Sequence, residues 1–129
     1  MIYTILVMGS IYGTENSTSA LLFSNSLMKG CKHSIKNIFF YCDGVLNGNK
    51  MSFTSIDENN LVNSWYQLSK KFFINLNICS SAACRRGVID DTMALDLGFL
   101  HGNLHFSFRL TGLGTFVQSV LNSDRVLQF

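Results

Sequence analysis

The sequence contains no proline, no low-complexity tract, no internal repeat and no linker-like stretch. Nothing marks a boundary, so residues 1–129 are expected to form one domain. Charge is scarce as well. Asp, Glu, Lys and Arg make up 14% of the chain, against roughly 25% in an average soluble domain. Ten basic residues against eight acidic leave a formal charge of +2, too small for a protein that grips nucleic acid electrostatically. No apolar run approaches the ~20 residues of a membrane-spanning helix. Residues 1–9 are apolar, but they lack a basic flank and a small-residue cleavage site. They read as a first strand rather than an export signal, which makes a cytoplasmic protein the expectation. Histidine is sparse, and His33, His101 and His105 do not complete a zinc set with the cysteines. Cys79 and Cys84 are separated by four residues rather than two. No zinc-binding pattern results.

Apolar residues are plentiful. They make up 47% of the chain and include 11 Phe. A domain this small cannot hide all of that surface, so part of it is expected to face another subunit. The four cysteines, Cys31, Cys42, Cys79 and Cys84, do not read as a disulfide framework in a chain without an export signal. At least one thiol is then a candidate for chemistry.

Hydrophobic patterning alternates strands with helices. Residues 2–8 are apolar on both faces, as in an inner parallel strand. A polar, glycine-punctuated loop over 10–16 leads to a helix from Ser17 to Lys29 that stops at Gly30. Ile35–Tyr41 reads as a second strand and 42–50 as a loop. Asp57 and Glu58 open the clearest helix, whose Leu61, Trp65, Leu68 and Phe72 form one apolar face. Leu76-Asn77-Ile78 is a short third strand running into Cys79, and Ser80–Arg86 starts a helix cut by Gly87. Asp90 and Asp91 cap a helix through Leu97. A strand over Phe106–Leu110, a helix over Gly112–Leu121 and a strand over Arg125–Phe129 finish the chain. The expected fold class is α/β, a sandwich around a mainly parallel five-stranded sheet of flavodoxin-like architecture. Loops 10–16, 42–50 and 79–87 leave the carboxyl edge, where such sheets keep their sites.

Cys79 is the leading candidate on that edge. At a strand-to-helix junction, free N–H groups and the helix dipole favour an anion. Arg85 and Arg86 follow as candidate stabilisers of a thiolate. A small buried hydrophobe at a strand end is an equally weighted reading. Cys84 reads as core packing, Cys31 as filler, and Cys42 as strand-end packing or a second thiol near Cys79. The histidines read as surface or loop residues. Cys79-x5-Arg85 also fits the phosphate loop of cysteine phosphatases, which pairs a thiolate nucleophile with an arginine. Residues 80–84 lack the glycines of such a loop, and no Asp-Pro general-acid element exists. A flavin or nucleotide loop at 9–17 fits less well still.

The chain resembles the DsrE-like sulfurtransferase family, and within it the D-subunit branch of complexes that make tRNA 2-thiouridine. The resemblance rests on Tyr12-Gly13-Thr14, Ser19-Ala20, Phe39-Phe40-Tyr41 followed by Asp43-Gly44-Val45, and Leu76-Asn77-Ile78-Cys79. It continues through Arg85-Arg86-Gly87-Val88, Gly112-Leu113-Gly114 and the ending Asp124-Arg125-Val126-Leu127-Gln128-Phe129. It implies a three-layer α/β/α sandwich with the family's active cysteine at Cys79. That cysteine would take a sulfane sulfur as a persulfide from an upstream, TusA-like carrier and pass it to a downstream, TusE-like carrier. The sulfur would end on the wobble uridine of tRNA. The resemblance further implies two homologous subunits, B and C, in a heterohexamer, and no cofactor. A non-catalytic subunit that completes the oligomer is a further alternative. Cys42 and Cys84 depart from the family pattern.

Overall fold

The computed structural model describes residues 1–129. Five strands form one sheet: β1 (Ile2–Val7), β2 (Ser34–Phe40), β3 (Leu76–Cys79), β4 (Phe108–Thr111) and β5 (Arg125–Gln128). Their order is β4-β3-β2-β1-β5, and every pairing is parallel. Parallel neighbours need crossovers, supplied by α1 (Asn16–Lys29), α2 (Leu61–Phe72), α3 (Ser80–Arg85), α4 (Asp91–Asp96) and α5 (Leu113–Leu121).

The strand order fixes the layers. From β1 to β4 each step goes the same way, and the last connection returns past β1 to β5. With right-handed crossovers, the early helices cover one face and α5 covers the other. Aromatic contacts agree. Phe40 meets Trp65 of α2 with ring centroids 5.1 Å apart, while the adjacent Phe39 meets Phe116 of α5 at 5.2 Å. Successive strand residues point to opposite faces, so this is the expected three-layer sandwich. Its layers are unequal, since α5 with its nine residues is the single named helix on its side.

The core is one cluster of 22 buried residues, with Trp65, Phe39, Phe40, Ile5 and Ile38 among the largest. Leu61, Trp65 and Leu68 are buried as their period predicts. The start of α2 differs from expectation. Residues 57–60 remain outside the helix, and Asn60 caps it by accepting from the Asn63 N–H at 3.1 Å. Asparagine outcompetes the acidic pair because its side chain reaches the free N–H of the first turn. The helix ends at Phe73, a left-handed residue with φ 56°.

The expected loop at 42–50 contains a 3-10 turn over Cys42–Gly48. Gly44 is required there, because a Cβ would strike the carbonyl of Val7. That close approach presses the turn onto the end of β1. Trp65 Nε1 donates to Asn47 Oδ1 at 2.9 Å, and Asn47 Nδ2 donates to the Gly44 carbonyl at 2.9 Å. The turn is thereby locked to α2. β4 lies later than expected, at 108–111. Phe106, placed in the strand by hydropathy, is exposed in the preceding loop. β2 and β5 each end one residue before the expected limit.

Candidate functional site

Cys79 closes β3 and immediately precedes α3, with φ −61° and ψ 115°. Two residues earlier, Asn77 Nδ2 donates to Asn37 Oδ1 at 2.7 Å, and Asn37 Nδ2 donates to Ser119 Oγ of α5 at 3.0 Å. Residues two apart on a strand share a face, so Cys79 lies on the α5 side of the sheet. The polar chain extends to β1. Thr4 Oγ1 donates to the Ser119 carbonyl at 3.2 Å and lies 2.7 Å from Ser123 Oγ. Buried polar groups of this kind are tolerated because each finds a partner.

Cys79 is only 1% exposed, so its thiol must be uncovered before another molecule can reach it. Its Sγ lies 3.4 Å from Ser81 Oγ. On one side Tyr41 follows Phe40, the register partner of Ile78, and remains extended at φ −136°. On the other side Thr111 of β4 is the register partner of Cys79. Thr111 Oγ1 is the one buried side-chain oxygen or nitrogen in the chain without a hydrogen-bond partner. Sequence reasoning missed Ser81, Tyr41 and Thr111. Ser81 was within reach of inspection, two residues from the thiol, but the other two depend on strand register.

The two arginines have other partners. Arg86 Nε donates to Asp43 Oδ1 at 2.8 Å, and its Nη1 donates to the Ala82 carbonyl at 3.1 Å. Arg85 is exposed at the end of α3 and makes no hydrogen bond or ion pair. Neither donates to the Cys79 sulfur. The Cys-x5-Arg pattern therefore does not close into a phosphate cradle, because residues 80–85 are wound as α3. At six residues that helix also offers little dipole to the thiol.

All four cysteines are free. Cys84 corrects its expectation. It is exposed rather than packed in the core, and its Sγ–H donates to Met93 Sδ at 3.3 Å. Ala82 and Ala83 take the buried positions of α3 instead. Cys42 lies on the carboxyl edge as expected, half-buried, left-handed at φ 51°, and without a bond to Cys79. Cys31 is exposed just after α1. Asp90 caps α4 by accepting from the Met93 N–H at 2.9 Å. Asp91 instead accepts from the Gly102 N–H at 2.8 Å.

A cleft of about 560 Å³ lies off the β4 edge, with Lys50, Asp90, His105 and Arg109 in its wall. Cys79 does not line it. His105 is half-buried there. Burial first, and then the charge of Lys50, lower its pKa below the ordinary imidazole value. No group of His, Cys, Asp and Glu side chains is arranged to hold a metal. No helix is long and apolar enough to cross a membrane.

The comparisons with known proteins agree with this arrangement. A sequence model of the DsrE/DsrF-like family matches residues 1–129. A protein named sulfurtransferase TusD from Buchnera aphidicola subsp. Acyrthosiphon pisum is 50% identical over 129 residues, covering all of both chains. The sulfurtransferase TusD of Salmonella newport is 43% identical, again over the full length of both. Among solved structures, the ychN protein from E. coli superposes with a TM-score of 0.74 at 18% identity, covering all of both chains, and so shares the fold. The chain belongs to the DsrE/DsrF-like family and is a sulfurtransferase with a sulfur-relay role.

Proposed function

We propose that Cys79 carries the sulfur in this relay as a persulfide. In the loading step the Cys79 thiolate attacks the outer sulfur of a donor persulfide. A new S–S bond forms to Cys79, the donor's S–S bond breaks, and its electron pair leaves with the donor's inner sulfur as a thiolate. No external oxidant or reductant is consumed. The upstream donor is a TusA-like carrier, and the sulfur passes on to a TusE-like carrier for 2-thiolation of the tRNA wobble uridine. The work belongs in the cytoplasm, where free thiols persist. The assembly is a heterohexamer with two homologous subunits. Exposed Leu113, Val117 and Leu121 on α5 support such contacts, being one apolar stripe at helical spacing.

The observation that carries this reading is the place of Cys79. It is the one buried cysteine, at the carboxyl end of an inner strand, in a chain whose full-length relatives are sulfurtransferases. Burial shields a reactive persulfide from bulk thiols, and the site then opens for exchange. The test is labelled-sulfur transfer in the reconstituted complex with each cysteine in turn changed to Ser. Cys79→Ser is expected to abolish loading, while Cys31→Ser, Cys42→Ser and Cys84→Ser retain most of it. Sulfur transfer that persists in Cys79→Ser would make this a non-catalytic subunit or place the relay on another thiol.

A further inference from the structure

Thr111 holds a buried hydroxyl without a partner, and it stands in register beside Cys79 on the neighbouring strand. We propose that this hydroxyl is a positioning group for the sulfur carried on Cys79, donating its hydrogen bond to the outer, anionic sulfur of the persulfide. The inference rests on Cys79 being the persulfide site.

Three observations support it. Register partners on adjacent parallel strands lie about 4.8 Å apart and present their side chains on one face. Thr111 and Cys79 therefore share a small space on the α5 side. No hydrogen bond joins Thr111 Oγ1 to the bare thiol; the sulfur's hydroxyl neighbour is Ser81. A second sulfur would place the acceptor about 2.05 Å beyond Sγ. Finally, the rest of this face is satisfied. Thr4, Asn37, Asn77 and Ser119 all have partners, which leaves Thr111 as the exception. A buried donor without a partner is destabilising in the resting protein. It becomes useful once a charged acceptor arrives, because hydrogen bonds to ionised groups are the stronger class.

The loading step keeps the balance given above. The donor's electron pair leaves with its inner sulfur, and the outer sulfur becomes bonded to Cys79. The persulfide's proton goes to solvent, and the Thr111 O–H donates without being transferred. The hydroxyl thus favours the persulfide anion over its protonated form and restrains the direction in which the outer sulfur points.

The test compares Thr111→Val, which keeps shape and removes the hydroxyl, with Thr111→Ser, which keeps the hydroxyl. The full chain is loaded with a small-molecule persulfide donor. Intact mass follows persulfide formation, and the pH profile of alkylation follows its ionisation. Thr111→Val is expected to form or retain the persulfide about tenfold less well or more, with its alkylation profile displaced to higher pH. Thr111→Ser should restore both, a rescue that loss of packing would not give. Should Thr111→Val fold poorly, Thr111→Ala against Thr111→Ser gives the same contrast. Normal loading and an unmoved pH profile in the hydroxyl-free variants, with Cys79→Ser unable to load, would overturn the role of Thr111 and leave the relay intact. Loading that survives Cys79→Ser would overturn the relay reading, and this proposal with it.

Discussion

On one face of the sheet Ile5, Val7, Ile38, Phe40, Leu76 and Ile78 lie buried beneath α1, α2 and the 3-10 turn. On the other, Thr4 meets Ser119 and Ser123 around α5, Asn37 meets Ser119, and Asn77 joins them through Asn37. The first face is closed by nonspecific burial, at roughly 25 cal/mol per Å² of apolar area. The second combines the Phe39–Phe116 contact with hydrogen bonds that must each find the right partner, and such bonds add only ~1 kcal/mol apiece. A core of the first kind supplies stability. A layer of the second kind supplies placement, and Cys79 lies on that side. The division puts Cys79, the proposed sulfur carrier, on the side covered by a single named helix, where local opening is expected to cost less than in the core beneath.

The comparison breaks most visibly at Trp65. It is fully buried against Phe40, and its ring N–H satisfies Asn47. Trp65→Ala is expected to cost ~3–5 kcal/mol, read as a large fall in the denaturant midpoint. The polar face should respond differently. Asn37→Ala leaves Asn77 Nδ2 without its acceptor and takes one donor from Ser119 Oγ, which still donates to the Thr115 carbonyl, and is expected to cost ~1–3 kcal/mol. Replacing the whole set, Asn37→Leu with Asn77→Leu and Ser119→Ala, should recover most of that loss, because no polar group is then stranded. A triple variant no better than Asn37→Ala would mean that this face is limited by packing, as the first is.

The two faces were not equally legible in the sequence. Alternation of strands and helices, the Leu61-Trp65-Leu68 stripe and the stop at Gly30 all follow from local patterning, and the structure has them. The position of Cys79 at the end of β3 was legible because a strand end is readable from hydropathy, and the family resemblance singles out the same residue. The α5 face was not found, because it is a matter of register. Asn37, Asn77 and Ser119 are far apart in sequence, and no local pattern announces that they meet. Thr111 beside Cys79 is the same case. Cys84 was misplaced because a six-residue helix has too few turns for its period to show which side is buried.

Arg86 tests a smaller claim, that charge near the thiol is structural. Its ion pair with Asp43 joins α3 to the 3-10 turn at side-chain exposures of 29% and 63%. At that exposure solvent screens the pair, so Arg86→Ala is expected to cost less than about 1 kcal/mol. Because Arg86 gives its hydrogen bonds to Asp43 and Ala82, the alkylation profile of Cys79 should not move. A slowed alkylation near neutral pH would return Arg86 to the role of thiolate stabiliser.

The smallest expected effect comes from His105, at the rim of the apolar face. Its ring stacks on Phe106 at 4.4 Å and meets Phe108 edge-on at 6.3 Å, and Phe108 in turn packs on Phe40. Burial, with the Lys50 charge second, holds its pKa below the ordinary value. An unfolded imidazole takes its proton near pH 6.5, while the folded one waits for lower pH. Between those two points the unfolded chain binds more protons, so stability rises with pH there. The contribution of His105 is complete above about pH 6.5 and is lost as pH falls toward its folded pKa. The ring is only half-buried, so solvent screens the effect and keeps it slight. Thermal melts of the native chain and of His105→Gln across that range isolate it, because every other titrating group is common to both. The native chain should lose stability relative to the variant on acidification. Parallel curves would show that the rim of the apolar face carries no desolvation cost and that burial there is confined to the rings beneath.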